Sequence, residues 1–410
     1  MESTPAIVVM KFGGSSLADT DKISVAARKI EESINAGYSP VVAVSAMGNT
    51  TDILLQMAKE LGGRPRERDL DLLLSTGEVV SCALMSIALN RMGYSSEALT
   101  GPAAGISTDG RYGKARIEYV APGKLIDLIH NNVVPVVAGF QGLSSKGEIT
   151  TLGRGASDTT AVSLAAALQA KACIIHTDVE GIYSADPRIV PKARKLKQIT
   201  YEETLEMASL GAKVMHPRSV EAAQRHNVEV IVKSTFSSAE GSSLVSSNNI
   251  DIETGRKVRA VVHDADVGQI TIHNVPDRPG LASALFQPLA DAAVSVDVIV
   301  QNVGRKDATD LSFSVSSDDL EPAFTIVQKV ADKVGAQGVS KNDRLGKLSI
   351  VGVGMASAPG VAANMFSVLG ENDINITSIT TSEIRVTCLI DRDQLEEGAK
   401  LLHTAFDLDD

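Results

Sequence analysis

The segment Lys11-Phe12-Gly13-Gly14-Ser15-Ser16 follows a short apolar run, Ile7-Val8-Val9-Met10, and precedes a stretch with helical spacing. A buried strand that ends in a lysine, a glycine pair and hydroxyls makes a cradle for polyphosphate. Glycines let backbone N–H groups converge on oxygens, because no Cβ blocks the approach. The helix that follows points the positive end of its dipole at the same spot, and the lysine adds a full charge. The chain has no G-x-x-x-x-G-K-[ST] sequence, so this is not a Walker-type loop. The competing reading of the segment alone is a plain strand–turn–helix corner.

The cradle needs a sheet to hold it. Over residues 1–235, β-branched runs alternate with helical patterns. The strands expected are Ile7–Met10, Pro40–Ser45, Val133–Phe140, Cys173–Thr177 and Glu229–Lys233. Ile23, Ala26, Ala27, Ile30 and Ile34 recur at helical spacing until Gly37 ends the pattern. Leu70–Met92 reads as a long helix, apolar nearly all round and therefore buried. Asp158–Leu168 and Tyr201–Leu210 read as two more. Continuous apolar strands separated by helices predict a three-layer, mostly parallel α/β sheet, in which ligands sit at the carboxyl ends of the strands.

Bulk properties bound the rest. A length of 410 residues predicts two or three domains. A net charge of −11 with 3% aromatic residues argues against nucleic-acid binding, which needs a basic face. Cys82, Cys173 and Cys388 lie far apart in apolar surroundings and read as reduced thiols packed as small hydrophobes. The seven histidines show no zinc-binding spacing, and no Ser–His–Asp arrangement is suggested. No targeting segment and no membrane span are expected, which makes a cytoplasmic location the default.

The polar stretch 246–262 reads as a linker that ends a catalytic domain at 245. Beyond it lies an internal repeat offset by 80 residues. Pro279-Gly280 aligns with Pro359-Gly360, Phe286 with Phe366, Leu289 with Leu369 and Ile299 with Ile379. The repeats are expected over 263–340 and 345–410 and should pack as a pseudo-symmetric pair. Their strand-to-helix loops suit capture of a small ligand at a helix start.

Ser75-Thr76-Gly77-Glu78, Gly153-Arg154-Gly155-Ala156-Ser157-Asp158-Thr159-Thr160, Thr177-Asp178-Val179-Glu180-Gly181-Ile182-Tyr183-Ser184-Ala185-Asp186-Pro187-Arg188 and Gly211-Ala212-Lys213-Val214-Met215-His216-Pro217 follow Lys11–Ser16 in order. Together they resemble the aspartokinases of the amino-acid-kinase family, and the repeats resemble tandem ACT domains. The resemblance covers essentially the whole chain and is to the monofunctional type, with no homoserine dehydrogenase domain expected. It implies the amino-acid-kinase fold followed by two ACT-like α+β repeats. The implied activity is ATP-dependent phosphorylation of the L-aspartate side-chain carboxylate, with Mg²⁺ held mainly through ATP oxygens rather than by a protein metal site.

That chemistry needs no general base, since a carboxylate is already ionised at pH 7. The difficulty is bringing an anion onto a polyanion, which calls for cations and backbone donors. Arg154 suits the substrate α-carboxylate as a bidentate fork, and Glu78 suits its ammonium. Glu78 lies on an apolar helix, and a buried charge there needs a partner.

By resemblance, Lys11 stabilises the transferring phosphoryl group, and Gly13, Gly14 and Ser15 line the phosphate site. Ser45 and Thr51 help hold aspartate, and Ser157 and Asp158 complete the pocket and hold nearby cations. Thr177, Asp178, Tyr183, Asp186, Arg188 and Lys213 fall on the nucleotide side. Lys233 either approaches the adenine or faces solvent. Two positions depart from the family pattern: Ser15 where threonine is frequent, and Ala156 where glycine is common. Alanine requires a negative φ there.

The repeats resemble sensors of lysine, threonine or both. The effector contacts implied are Asp277, Pro279, Gly280, Gln301, Asn302 and Asp310 in the first, and Asn375, Ile376, Thr377 and Ser382 in the second. A homodimer or larger assembly through the ACT repeats is implied. Some relatives add an ACT-only subunit from an internal start, which here would need a non-ATG codon. The alternatives are a family kinase acting on glutamate, N-acetylglutamate, carbamate or a nucleotide, and a non-catalytic amino-acid sensor.

Overall fold

The computed structural model describes residues 5–63, 65–153, 155–212, 215–246, 256–292, 294–301 and 308–409. The described chain divides into two compact units. The first comprises residues within 1–182, 195–208 and 213–250, and the second those within 183–194, 209–212 and 251–410.

In chain order the first unit contains β1 (Ile7–Phe12), α1 (Thr20–Asn35), β2 (Ser39–Val44), α2 (Thr50–Glu60), α3 (Glu67–Arg91), β3 (Ser96–Leu99), β4 (Ile106–Thr108), β5 (Ile117–Val120), α4 (Gly123–His130), β6 (Val134–Ala138), β7 (Gln141–Ser144) and β8 (Ile149–Thr151). It continues with α5 (Ser157–Ala167), β9 (Ala172–Thr177), β10 (Gln198–Thr200), α6 (Tyr201–Ser209), α7 (Pro217–His226), β11 (Val230–Ser234) and β12 (Ser242–Val245). Eight strands form one sheet in the order β10-β12-β11-β9-β1-β2-β6-β3. Every pairing is parallel except β11 with β12. All five strands expected from the sequence are in it. Their apolar runs are mostly buried on both faces, as covered parallel sheets require. The helix expected at Ile23–Ile34 is α1, whose N-terminus is capped by Asp19 accepting the Lys22 N–H at 2.8 Å.

The 25-residue α3 is long and apolar enough, by length and composition, to cross a membrane, although no such stretch was expected. Half of that window is buried within the protein. α3 also buries Asp71 and Glu78 while packing on β3, β6 and β8, which is how a core helix behaves. Asp71 ties α3 to a small second sheet, β5-β4-β7-β8. Its carboxylate accepts the N–H groups of Gly113 and Thr151 and the Thr151 hydroxyl. Burial nevertheless outweighs those bonds and holds its pKa above the ordinary value.

The second unit contains β13 (Ala260–Asp264), β14 (Gly268–Pro276), α8 (Leu281–Asp291), β15 (Ile299–Gln301), β16 (Ala308–Val315), α9 (Leu320–Val334), β17 (Gly338–Asn342), β18 (Leu345–Val351), α10 (Val361–Glu371), β19 (Ser378–Thr381), β20 (Arg385–Asp391) and α11 (Leu395–Ala405). The repeat is real at the backbone level. Gly280 and Gly360 are each the N-cap residue of the first helix of a copy, at φ 87° and 93°, a conformation that favours glycine. The two sheets are β15-β16-β14-β17 and β19-β20-β18-β13. In the first copy the edge strand beside β14 is β17, which ends that copy. In the second its place is taken by β13, which precedes the first copy and begins inside the stretch read as linker. The edge strand of the second copy is thus supplied from upstream, and it pairs β18 along its open edge.

Candidate functional site

Parallel pairing brings the motifs to one edge of the large sheet. Lys11 lies opposite Ala43 of β2 and Ile175 of β9, and Phe12 opposite Val44 and His176. Beyond the last ladder bonds the chain ends stay stitched together. The Gly13 N–H donates to His176 O at 3.2 Å, Ser45 N–H to Phe12 O at 3.1 Å and Gly139 N–H to Val44 O at 2.9 Å. Gly14 turns the chain against the Ser45–Asp52 loop, where its carbonyl accepts the Gly48 N–H at 3.0 Å. A Cβ on Gly14 would sit 2.8 Å from Ala46 O, so only glycine allows this approach.

Lys11 Nζ lies 2.7 Å from Asp158 Oδ1, with both side chains close to fully buried. Asp158 stands in the first turn of α5, where the helix dipole favours a carboxylate. Its Oδ2 accepts the His216 N–H at 3.3 Å. Ser157 precedes it, packed against Gly139, where a Cβ would meet the Ser157 Cβ at 2.9 Å. Ala156 caps α5 at φ −82°, the negative value expected for alanine. Gly153 and Gly155 flank the Arg154 position at φ 94° and 78°. Arg154 itself, like Lys213 and Asn302, lies outside the described residues.

Glu78 reaches the same region from α3. Gly77 lets the helix close on the Ser45–Asp52 loop, since a Cβ there would lie 2.9 Å from the Ala46 Cβ. Glu78, only 3% exposed, then accepts the Ala46 N–H on Oε1 at 3.1 Å. Its Oε2 is buried without a hydrogen-bond partner among the described residues. Burial pushes the carboxyl up to about 7, against the lowering by the Ala46 bond. Among the described residues a carboxylate so placed is short of one cationic or N–H partner.

The remaining positions separate. Ser15 is exposed, while Ser45 and Thr51 are half-buried at the C-terminal end of β2 and the start of α2. Thr177 ends β9, with its hydroxyl on Asp178 Oδ1 at 3.0 Å. Tyr183, Asp186 and Arg188 belong to the second compact unit. Asp186 takes a bidentate contact from Arg188, which holds its carboxyl below the ordinary range. Lys233 lies in β11, opposite His176. Of the effector positions, Asp277, Pro279, Gln301, Asn375, Thr377 and Ser382 are exposed. Gly280 opens α8, and Ile376 is half-buried against the second repeat's core. Asp310 accepts the Asn274 N–H at 2.8 Å.

Three residues went unnoticed in the sequence. Gln141, fully buried, donates to Ser75 O at 2.9 Å and braces the α3 motif. Arg218 donates to Leu152 O and Ala115 O, just ahead of Gly153. His176 stacks on Phe12 with centroids 4.6 Å apart, and burial pushes it down to about 3, so the ring is neutral. None carries a motif; each acts through a partner distant in sequence. Likewise, a Ser–His–Asp series does exist, contrary to expectation. Ser184, His403 and Asp409 are joined by hydrogen bonds of 2.8 and 2.7 Å, the first between residues 219 apart in the chain. Ser184 and His403 are wholly buried, so the series holds no accessible nucleophile. No group of three or more His, Cys, Asp or Glu side chains among the described residues is arranged to hold a metal.

Comparison with known proteins agrees with this geometry. The amino acid kinase family matches residues 6–234, and ACT domains match 269–332 and 348–406. Aspartokinase of Bacillus sp. (strain MGA3) is 43% identical over 403 residues, covering 98% of this chain and 97% of that protein. Aspartokinase of Thermus thermophilus is 43% identical over 406 residues, covering 98% of this chain and 99% of that protein. Among solved structures, E. coli aspartokinase III in complex with aspartate and ADP (R-state) superposes with a TM-score of 0.81. It is 26% identical and is covered to 99% by 97% of this chain. The same enzyme in complex with lysine and aspartate (T-state) superposes with a TM-score of 0.75 at 26% identity, covering 98% of this chain and 99% of that one. With its cation and glycine turn at the sheet edge, its buried carboxylate on α3, two ACT domains following in the sequence and relatives 43% identical over nearly the whole chain, the chain belongs to the aspartokinases of the amino acid kinase family.

Proposed function

We propose that this enzyme transfers the γ-phosphoryl group of Mg-ATP to the side-chain carboxylate of L-aspartate, giving 4-phospho-L-aspartate. The reading makes this the first step toward lysine, threonine and methionine, feedback-regulated by lysine, threonine or both through the ACT repeats. The observation that carries it is the pairing of Lys11, at the end of β1, with Asp158 of α5, together with a Glu78 oxygen that has no partner among the described residues. In this reading Asp158 holds Lys11 in place, and Lys11 faces the charge that develops on the transferring phosphoryl group. Gly14 and Ser15 present backbone donors to phosphate, and Gly13, whose own N–H is held by His176 O, lines the turn. Glu78 Oε2 takes the substrate ammonium, Arg154 its α-carboxylate, and Ser45, Thr51 and Ser157 its remaining polar atoms. Thr177, Asp178, Tyr183, Asp186, Arg188 and Lys213 serve the nucleotide. Lys11 and the glycine turn suit phosphate oxygens, and in this reading Mg²⁺ is held mainly through ATP oxygens, where it neutralises phosphate charge.

The loops at Asp277, Pro279, Gly280, Gln301, Asn302 and Asp310, and at Asn375, Ile376, Thr377 and Ser382, are the effector contacts in this reading. The repeats join copies of the chain into a dimer or larger assembly in the cytoplasm. An effector that binds an inhibited arrangement better than an active one shifts the population toward it. The E. coli enzyme solved in complex with lysine supports an amino-acid effector. The test is ADP release from Mg-ATP with L-aspartate, L-glutamate or N-acetylglutamate, each with and without lysine and threonine. Turnover confined to aspartate and reduced by an effector is expected. Turnover with glutamate, or effector binding without any turnover, would overturn the reading.

A further inference from the structure

The loop Tyr183–Arg188 is built on the second ACT repeat. Ala185 and Val190 are buried in one apolar cluster with Val261 of β13, Leu402 of α11 and Leu408. Ser184 is the polar centre of that attachment. Its N–H donates to Arg194 O, its carbonyl accepts the Val261 N–H at 2.7 Å, and its hydroxyl oxygen accepts the Arg194 N–H at 2.9 Å. The same hydroxyl meets His403 Nε2 at 2.8 Å, and His403 Nδ1 meets Asp409 Oδ1 at 2.7 Å. Lys192, from the far end of the loop, reaches Asp409 Oδ2 at 3.3 Å. With Nδ1–H given to the carboxylate, Nε2 is placed to accept the Ser184 hydroxyl proton. Every bond in the series then has one donor and one acceptor, which pins the loop two residues before Asp186.

We propose that His403 is a positioning residue for the nucleotide: through Ser184 it fixes the Tyr183–Arg188 loop in the arrangement that recognises ATP. This rests on reading Tyr183, Asp186 and Arg188 as nucleotide contacts. A bond network that served only to hold the core together would change how much protein is folded. One that positions the loop changes ATP recognition in protein that is folded.

The experiment measures thermal unfolding, kcat, and KM for ATP and for aspartate in the full-length Ser184→Ala, His403→Ala and His403→Gln proteins. Loss of one buried hydrogen bond predicts a rise in ATP KM on the order of tenfold for Ser184→Ala and His403→Ala. Aspartate KM and kcat should stay within about twofold, because neither the aspartate contacts nor Lys11 and the glycine turn are touched. His403→Gln carries an amide to the Nε2 position and should recover part of the loss. If His403→Ala does not fold, Ser184→Ala removes only one oxygen and still decides. An unchanged ATP KM in a Ser184→Ala protein of native unfolding temperature overturns the proposal, as does an equal rise in both KM values. Arg188→Ala then identifies what failed. A raised ATP KM there means that only the positioning role falls. An unchanged one means that the nucleotide reading of the loop falls with it.

Discussion

Replacing Glu78 by glutamine should stabilise the protein at alkaline pH while weakening aspartate binding. Glu78 sits on α3 with Oε1 on the Ala46 N–H and Oε2 buried without a partner among the described residues. Glutamine keeps an acceptor for Ala46 and removes the buried charge. Burial raises the carboxyl from 4.5 to about 7, so between those values the folded state holds a proton that the unfolded state has lost. Wild-type stability therefore falls as pH rises through that window, by roughly 3 kcal/mol in total at about 1.4 kcal/mol per unit. The stability difference between Glu78→Gln and wild type should be near zero at pH 4 and grow to roughly 2–3 kcal/mol at pH 8, allowing for an imperfect amide fit. Urea unfolding of both proteins at several pH values reads it directly. Binding an ammonium requires the ionised form. With a pKa near 7, that fraction rises about tenfold from pH 6 to pH 8, and wild-type aspartate KM should fall by about as much. In Glu78→Gln the KM should be raised roughly tenfold or more and lose that dependence. A stability difference that does not change with pH, or an aspartate KM equally flat in both proteins, would refute the reasoning.

Lys11→Ala should lower kcat by at least about a hundredfold in the ADP-release assay. It should also cost roughly 3 kcal/mol of stability, because the buried Asp158 loses its Lys11 ion pair; adding Asp158→Asn should restore the stability and not the turnover. Gly14→Ala should abolish most activity, since its Cβ would lie 2.8 Å from Ala46 O, whereas Ala156→Gly should keep full activity and lose about 0.5–1 kcal/mol in urea unfolding. Cys82 and Cys388 are buried and pushed up to about 11 and 12, and Cys173 higher still. A thiol reagent at pH 8 should therefore label none of the three until the protein is unfolded, and rapid labelling of the native protein would contradict the buried placement.

The sequence alone determined the features written in short windows. The Ile7–Met10 run, the glycine pair after Lys11, the spacing of α1 and the two Pro-Gly helix starts are local signals, set by side-chain periodicity and by the conformations that glycine permits. They sufficed to place a parallel sheet, a lysine-and-glycine turn at the end of its first strand and a repeated unit later in the chain. The strands between residues 106 and 151 were not legible, apart from the one at 133–140, because they are short and lack a clean alternation. Tertiary structure alone decided what depends on partners far apart in the chain. The burial of Glu78 against the Ala46 N–H follows from how α3 closes on Ala46, which in turn depends on Gly77 having no side chain. β13 belongs to the second repeat because β18 has an open edge there, not because of its own composition. Ser184, His403 and Asp409 look unrelated in sequence, and only burial makes their hydrogen bonds obligatory. A hydrophobic pattern specifies which face of an element turns inward, but not which distant polar group it meets once there.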